Sequence, residues 1–337
     1  MKPDDGARTN GAGPYFYLLI TMALFAGAFT SSKVVVGQVP HDVAAALRFG
    51  GGALILVLLL CLRRGTGKFA WRELAIAGSV GLVGVFAYNF FFFWALSLAP
   101  AIDGSIIVPV LSPVLTTIAF LVTGKESASI LRLAGLVLGV AGAVVFFVGI
   151  GGAGSGLTSS RLLGDLIYLA GAACWAAYSI ASKKVLAGME PLRATTYATG
   201  AGALALILIS IPSLSHVDWT GLNGEIWANV AFLAVGPTAI AFLFYYRGLR
   251  SVSPVTATVT MFIVPVLSSV SSYVFLGESF TGIQLVGALI TIAGALLAVT
   301  RSRRSSGARP GRAGHSRTRR SGTPQRVRPA ADTGRTG

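Results

Sequence analysis

Residues 113–143, PVLTTIAFLVTGKESASILRLAGLVLGVAGA, return 152 positions later as residues 265–295, PVLSSVSSYVFLGESFTGIQLVGALITIAGA. Pro113-Val114-Leu115 matches Pro265-Val266-Leu267, and Glu126 matches Glu278. Gly135 matches Gly287, and Ala141-Gly142-Ala143 matches Ala293-Gly294-Ala295, with no gap over 31 positions. An earlier block in each half matches at 150: Phe25 with Trp175, Ser32-Lys33 with Ser182-Lys183, and Gly50 with Gly200. A two-residue indel between the blocks accounts for the change of offset. Self-similarity on this scale means that the chain is built from two copies of one unit, and the number of elements per copy decides the fold.

Both copies lie in very apolar sequence. The chain has 337 residues, 54% of them apolar and 12% charged, with a mean hydropathy of +0.74. A soluble domain is about 45–50% apolar and about 25% charged. Apolar runs of about 20 residues, the length that crosses a hydrocarbon core about 30 Å thick, recur throughout. The fold class is therefore an all-α polytopic membrane protein. The 42 glycines fit, because small residues let membrane helices approach closely.

Ten spans are expected, near 15–36, 42–62, 74–98, 101–122, 130–149, 164–186, 194–212, 227–247, 254–275 and 282–300. Both termini then lie on one side. With that side cytoplasmic, eleven basic residues face inward (Arg63, Arg64, Lys68, Arg72, Lys125, Arg132, Lys183, Lys184, Arg193, Arg247 and Arg250) against three at most outward (Lys33, Arg48 and Arg161). Positive residues stay inside, so the termini are expected in the cytoplasm. Five spans per half is an odd number, so the second half enters from the opposite side. The expectation is two inverted five-helix repeats, 15–149 and 164–300, after a short N-terminal segment, 1–14, and joined by an external Gly/Ser-rich linker, 150–163. A membrane protein of two inverted halves is a recurring transporter design, with the substrate site at the seam.

Several segments carry no site. Residues 301–337 hold eleven arginines and one aspartate, with few side chains able to build a core. They read as a disordered cytoplasmic tail attracted to anionic lipid. Nucleic-acid binding is not expected, since no stacking aromatic accompanies the charge. The first span is too long for a signal peptide and lacks a clear cleavage site. Cys61 and Cys174 read as small buried hydrophobes, and no metal or cofactor motif is present. Gly149 to Gly154 matches GxGxxG by spacing alone, without the strand and helix that a dinucleotide site requires. No Walker A sequence occurs, so ATP is not the expected energy source.

The order of short motifs resembles the drug/metabolite transporter superfamily of the EamA type. In the first half these are Ala45-Ala46-Leu47-Arg48-Phe49, Pro113-Val114-Leu115, Gly124-Lys125-Glu126, and the fifth span through Gly135 and Gly142. In the second they are Gly164-Asp165-Leu166, Trp175-Ala176, Pro265-Val266, Leu276-Gly277-Glu278, and Gly287 through Gly294. The resemblance covers about residues 15–300. It implies ten helices, alternating access, a pocket walled by spans 1, 3, 4, 6, 8 and 9, and transport of small metabolites such as amino acids, often outward. Three departures stand out: Phe25-Ala26-Gly27 where a Trp-Gly pair is common, Ala198 opposite Arg48, and Gly277 opposite Lys125.

An ionisable residue inside a span is a functional candidate by default. Arg48 lies two turns into the second span, placed to meet a substrate carboxylate or to bind backbone carbonyls; its planar fork suits a carboxylate. Lys33 reads as snorkelling to the interface. Asp103 and Asp165 read as helix caps, and Glu126 and Glu278 as caps or interface anchors. Uncharged candidates for lining a pocket are Asn89 with its neighbour Tyr88, Trp175 and Tyr178 on one face, Thr238 and Tyr245 on another, and Thr256, which shares a face with Thr260. For each of them packing between helices is the competing role. Pro113 and Pro265 free backbone carbonyls and are candidate helix breaks.

The expected function is secondary transport, outward, of amino acids or related metabolites. The alternative is a flippase for a lipid-linked or amphipathic substrate, which would need a lateral opening and a basic site at Arg48. An enzyme is not expected, because no cluster of Asp, His or Cys gathers near an interface. Expected partners are the small-molecule substrate and the lipid bilayer of the plasma or inner membrane. A homodimer is left open.

Overall fold

The computed structural model describes residues 13–63, 70–123, 129–151, 158–186, 188–276 and 282–300. Residues 1–12, Glu126, Glu278, residues 152–157 of the expected linker and the basic tail lie outside the described residues. The described chain is helical. Helices α1 (Gly13–Val36) and α2 (His41–Leu62) are followed by α3, which runs Trp71–Gly81, Leu82–Ala87 and Tyr88–Leu98 with a π-helical middle piece. Next come α4 (Ala101–Val122), α5 (Ile130–Gly151), α6 (Ser159–Leu186) and α7 (Pro191–Ser210). Helix α8 runs Gly224–Leu233, Ala234–Ile240 and Ala241–Ser251, again with a π-helical middle. Helix α9 runs Pro254–Val259, a 3-10 turn Thr260–Ile263, and Val264–Leu276; α10 is Gly282–Thr300.

Eight of these, α1–α4 and α6–α9, contain a stretch long and apolar enough to cross a membrane. The apolar stretches of α5 and α10, Ile130–Val145 and Leu285–Gly294, are shorter. Large apolar side chains are exposed on most helices, among them Leu54, Leu58, Val137, Leu166 and Leu208. In water such a surface would aggregate; in a bilayer it meets lipid. Cys61, expected to be buried, is part of this exposed surface, and Cys174 is half-buried; both are free thiols.

Local signals set the helix starts. Glu190 accepts from the Arg193 N–H with Pro191 in the first turn; Asn223 accepts from the Ile226 N–H; Ser253 accepts from the Thr256 N–H ahead of Pro254. Each satisfies an N–H with no partner inside its helix. Helix α6 begins at Ser159, within the segment expected to be linker. There Thr158 Oγ1 accepts from the Arg161 N–H (3.2 Å), and the Arg161 side chain turns inward.

The two halves pack through reciprocal contacts. Helix α5 lies along α10, and α2 along α7. A Cβ on Gly135 would meet backbone at Gly294 and Ala298, and one on Gly142 would overlap Thr291 and meet the Gly287 carbonyl. The repeat mates of Gly135 and Gly142 are Gly287 and Gly294, so each glycine touches the mate of the other. Gly52 of α2 lies against Thr238 in the π-helical piece of α8, and Gly202 of α7 against Val85 in the π-helical piece of α3. Such exchange of roles characterises an interface between like units related by a two-fold.

Lys33 is not free to snorkel. Its ammonium donates to the carbonyls of Leu96 (2.7 Å) and Ala99 (3.0 Å) at the C-terminal end of α3. Its repeat mate Lys183 donates to Leu249 (2.7 Å), Arg250 (2.9 Å) and Val252 (2.8 Å) at the end of α8. A helix C-terminus carries unpaired carbonyls and partial negative charge, so a cation there does two jobs. These matched contacts put the third helices 153 positions apart, Leu96 with Leu249 and Ala99 with Val252. Lys33→Met and Lys183→Met are each expected to destabilise the protein by about 2–3 kcal/mol, from the loss of charge-assisted bonds. Thermal unfolding in detergent checks the size, and should rank Lys183→Met as the more damaging.

Candidate functional site

Phe25 and Trp175 are repeat mates, and their rings touch edge to face with centroids 5.3 Å apart. A residue meets its own mate only at a two-fold axis, so this contact marks the centre of the molecule. A cavity of about 20 Å³ lies here. Its wall comes from both halves: Phe25 and Phe29 of α1, Arg48 of α2, Tyr88 and Phe92 of α3, Pro109 of α4, Trp175 of α6, Phe242 of α8, and Met261 of α9. Pro109 and Met261 are themselves mates, 152 positions apart. The volume holds about one water, far less than the roughly 300–1,000 Å³ of an open ligand pocket. This conformation is closed around the axis.

Aromatic rings dominate the wall. Phe242 lies 5.8 Å from Phe25 and 6.0 Å from Trp175, Tyr88 5.0 Å from Trp175, and Phe29 5.2 Å from Phe92. The Trp175 indole N–H is buried and has no acceptor among the described residues. Arg48 is the charged member, only 4% exposed. Its Nε donates to Thr238 Oγ1 (3.2 Å), and its guanidinium lies 4.8 Å from the Phe49 ring centroid. Among the described residues no carboxylate lies within ion-pairing distance of it. A buried cation without a counter-charge is costly in a membrane interior.

Thr238 is held for this task by the break in α8. Pro237 has no N–H to give to the Leu233 carbonyl. The Thr238 hydroxyl donates to that carbonyl instead (2.8 Å) and turns its lone pairs to Arg48. The matching break in α3 is closed differently: Asn89 Nδ2 donates to the Val85 carbonyl (2.8 Å). Asn89 is fully buried, with Oδ1 unpartnered, and does not line the cavity.

Of the expected site residues, Arg48, Tyr88 and Trp175 come together at the cavity, with Thr238 behind Arg48. Tyr178 and Tyr245 form a layer beneath Trp175; their rings stack at 6.4 Å, and the Tyr245 hydroxyl bonds Ser179 Oγ (2.7 Å). Thr256 is in the Ser253 cap of α9, away from the cavity wall. Pro113 lies one turn beyond Pro109 in α4, which stays α-helical through both, so the break expected at Pro113 does not form; in α9 the irregular piece is the 3-10 turn Thr260–Ile263, and Pro265 follows it, next to the cavity residue Val264. Sequence reasoning missed Phe29, Pro109, Phe242 and Met261. Pro109 carried a signal in its spacing of four from Pro113; Phe29 and Phe242 sit in apolar runs that give no hint of direction.

Asp103, expected as a helix cap, turns its carboxylate to Arg161 instead. It is fully buried and forms a two-pronged ion pair with Arg161, Oδ2 to Nε at 2.7 Å and Oδ1 to Nη2 at 2.9 Å. The pair joins α4 of the first half to α6 of the second.

Asn89→Ala is expected to lower thermal stability by about 1 kcal/mol, the worth of one buried bond. Transport per folded molecule should be unchanged. Unfolding temperature measured beside flux normalised to folded protein separates the two.

A closed aromatic cavity on a two-fold axis, inside a bundle of membrane helices, defines a polytopic membrane protein of the transporter class. The EamA-like transporter family model matches residues 13–148 and again 162–300, so the chain belongs to the EamA-like transporter family. It is 30% identical over 273 residues to the aromatic amino acid exporter YddG of Ancylobacter novellus, covering 80% of this chain and 91% of the relative. It is 28% identical over 285 residues to the uncharacterized transporter YyaM of Bacillus subtilis, covering 84% and 92%. It is 27% identical over 298 residues to a probable terminal-alkyne amino-acid exporter of Streptantibioticus cattleyicolor, covering 88% and 97%. A crystal structure 24% identical in sequence superposes with a TM-score of 0.68, over 86% of this chain and 98% of the other, and shares the fold.

Proposed function

We propose that the protein is an exporter of small amphipathic carboxylates, aromatic amino acids foremost, working by alternating access. The observation that carries the proposal is Arg48, a buried guanidinium with no carboxylate partner among the described residues, on the wall of a closed aromatic cavity between the two halves. A monocarboxylate would supply the missing counter-charge in the bidentate geometry that Arg favours. Its apolar body would replace the contacts among Phe25, Trp175 and Phe242. The names of two relatives as amino-acid exporters fit this chemistry.

The protein would then have ten spans as two inverted five-helix repeats, 15–149 and 164–300, with both termini in the cytoplasm of a plasma or inner membrane. The reciprocal contacts of α2, α5, α7 and α10 and the distribution of basic residues support it. Rocking of the halves about the axis would open the cavity to each side in turn. Among the described residues no carboxylate lines the cavity, which favours facilitated efflux or exchange over proton coupling through the site itself.

The test is efflux from proteoliposomes holding purified protein and loaded with a panel of aromatic amino acids, aliphatic amino acids, sugars, nucleosides and organic cations. Aromatic monocarboxylates should leave fastest. Failure of every compound to move, or preference for cations, would overturn the proposal.

A further inference from the structure

A second cavity, of about 490 Å³, lies where α4, α6 and α8 end and α9 begins. That volume is within the roughly 300–1,000 Å³ of a small-molecule site. Phe120 and Ile180 give it an apolar side, and Lys183, Lys184, Ser251 and Ser253 a polar one. Among the described residues no carboxylate lines it. The Lys183 ammonium is committed to three carbonyls at the end of α8. Lys184 is exposed and makes no ion pair with a described residue, so its ammonium is available to an anion.

The same four helices wall the central cavity, at Pro109, Trp175, Phe242 and Met261. At about 1.5 Å per residue, Phe120, Ile180, Ser251 and Pro254 lie about 8–17 Å along their helices from those positions. Tyr178 of α6 and Tyr245 of α8 fall between the two levels, their rings stacked with centroids 6.4 Å apart. The second cavity thus continues the first beyond a layer of tyrosines. The repeat counterpart at the opposite end differs. Lys184 matches Val34 at the offset of 150, and Ser251 and Ser253 match Leu98 and Pro100 at 153. The available cation and both hydroxyls therefore belong to one end, which the distribution of basic residues puts in the cytoplasm on the reading above.

We propose that this cavity is a loading vestibule, where an aromatic monocarboxylate is first held, its carboxylate on Lys184 and its ring on Phe120 and Ile180, before it passes to Arg48. The inference rests on the transport reading above and adds a second binding site for the same substrate. Charge and surface chemistry carry it. A cleft lined by charge of one sign raises the local concentration of the opposite ion. An apolar wall beside the cation favours an amphipathic anion over an inorganic one. An exporter needs such a site at its cytoplasmic end, and the two halves differ so as to supply it at one end.

The test uses full-length protein with Cys61→Ser, Cys174→Ser and Ser251→Cys, in nanodiscs of phosphatidylcholine. The rate of maleimide labelling is measured with tryptophan, with tryptamine, which lacks the carboxylate, and with acetate, which lacks the ring. Tryptophan should slow labelling about twofold when half the sites are filled, and the other two should not. Protection should survive Arg48→Met, which disables the central site, and vanish with Lys184→Gln. No protection by tryptophan, equal protection by tryptamine or acetate, or loss of protection with Arg48→Met would overturn the vestibule. So would slowing by phosphatidylglycerol in the nanodisc with no further effect of tryptophan, which would make the occupant a lipid headgroup. If Ser251→Cys does not fold, Lys184→Gln in the otherwise unsubstituted chain decides. KM for efflux should then rise about two- to fivefold, the worth of an exposed ion pair, with kcat unchanged; an unchanged KM overturns the vestibule. Protection needs no translocation. Protection as stated without efflux of any aromatic amino acid would count against the transport reading, and efflux without protection against the vestibule alone.

Discussion

Arg48→Met is expected to lower kcat/KM for efflux of an aromatic amino acid by about 100-fold or more. Truncating one partner of a buried, hydrogen-bonded charge pair costs about 2–5 kcal/mol, and each 1.36 kcal/mol is about tenfold in rate. The same substitution should leave the unfolding temperature unchanged or raise it. In the closed state the guanidinium has Thr238 and the Phe49 ring and no carboxylate, so its removal relieves an uncompensated buried charge. Loss of activity with gained stability separates a binding residue from a scaffold residue. Arg48→Lys should recover only part of the rate, because a point charge cannot give a two-pronged bond. Initial efflux rates over a substrate series, beside thermal unfolding of the same preparations, check both halves of the expectation. A drop in stability matching the drop in rate would assign Arg48 to packing.

The second large effect concerns the seam. Gly142→Val and Gly294→Val are each expected to destabilise the protein by about 3 kcal/mol or to abolish its folded form. The neighbour is backbone in both cases: a Cβ on Gly142 overlaps Thr291, and one on Gly294 overlaps Gly139, so no side-chain rotation relieves the clash. Overpacking alone costs about 1–3 kcal/mol, and helices held by close backbone approach lose that contact along their length. Because the two glycines are repeat mates, their effects should be equal within error. Gly200→Ala, where a Cβ meets nothing within 4 Å, is the control and should be neutral or slightly stabilising. Yield of monodisperse protein and unfolding temperature give the comparison.

Much of the architecture was legible because it is written twice. The match of Ser32-Lys33 to Ser182-Lys183 became a pair of equivalent clamps on the ends of α3 and α8. The match of Gly135 and Gly142 to Gly287 and Gly294 became the reciprocal packing of α5 and α10. Phe25 opposite Trp175 turned out to lie on the axis itself. The site was less legible. Arg48 stands out in any apolar span, but Asn89 looked equally strong, and its amide serves the backbone of its own broken helix. An amide that closes a helix break and one that meets a ligand are identical in sequence. The offset also shifts within α3: extending 152 would set Asn89 against Ala241, whereas the clamp contacts place it against Phe242. An indel inside the π-helical pieces, six residues long in α3 and seven in α8, hides that shift. Arg161 reads as linker because Thr158, Ser159 and Ser160 just before it are small and polar; its partner Asp103 is 58 positions away.

A structure with a bound aromatic amino acid shows directly where the substrate sits. The expectation is that the ligand carboxylate lies within hydrogen-bonding distance of the Arg48 guanidinium, with its ring among Phe25, Trp175 and Phe242, in a cavity enlarged by their movement. A ligand seated elsewhere, with Arg48 still bonded only to Thr238 and the aromatic rings still in mutual contact on the axis, would contradict it.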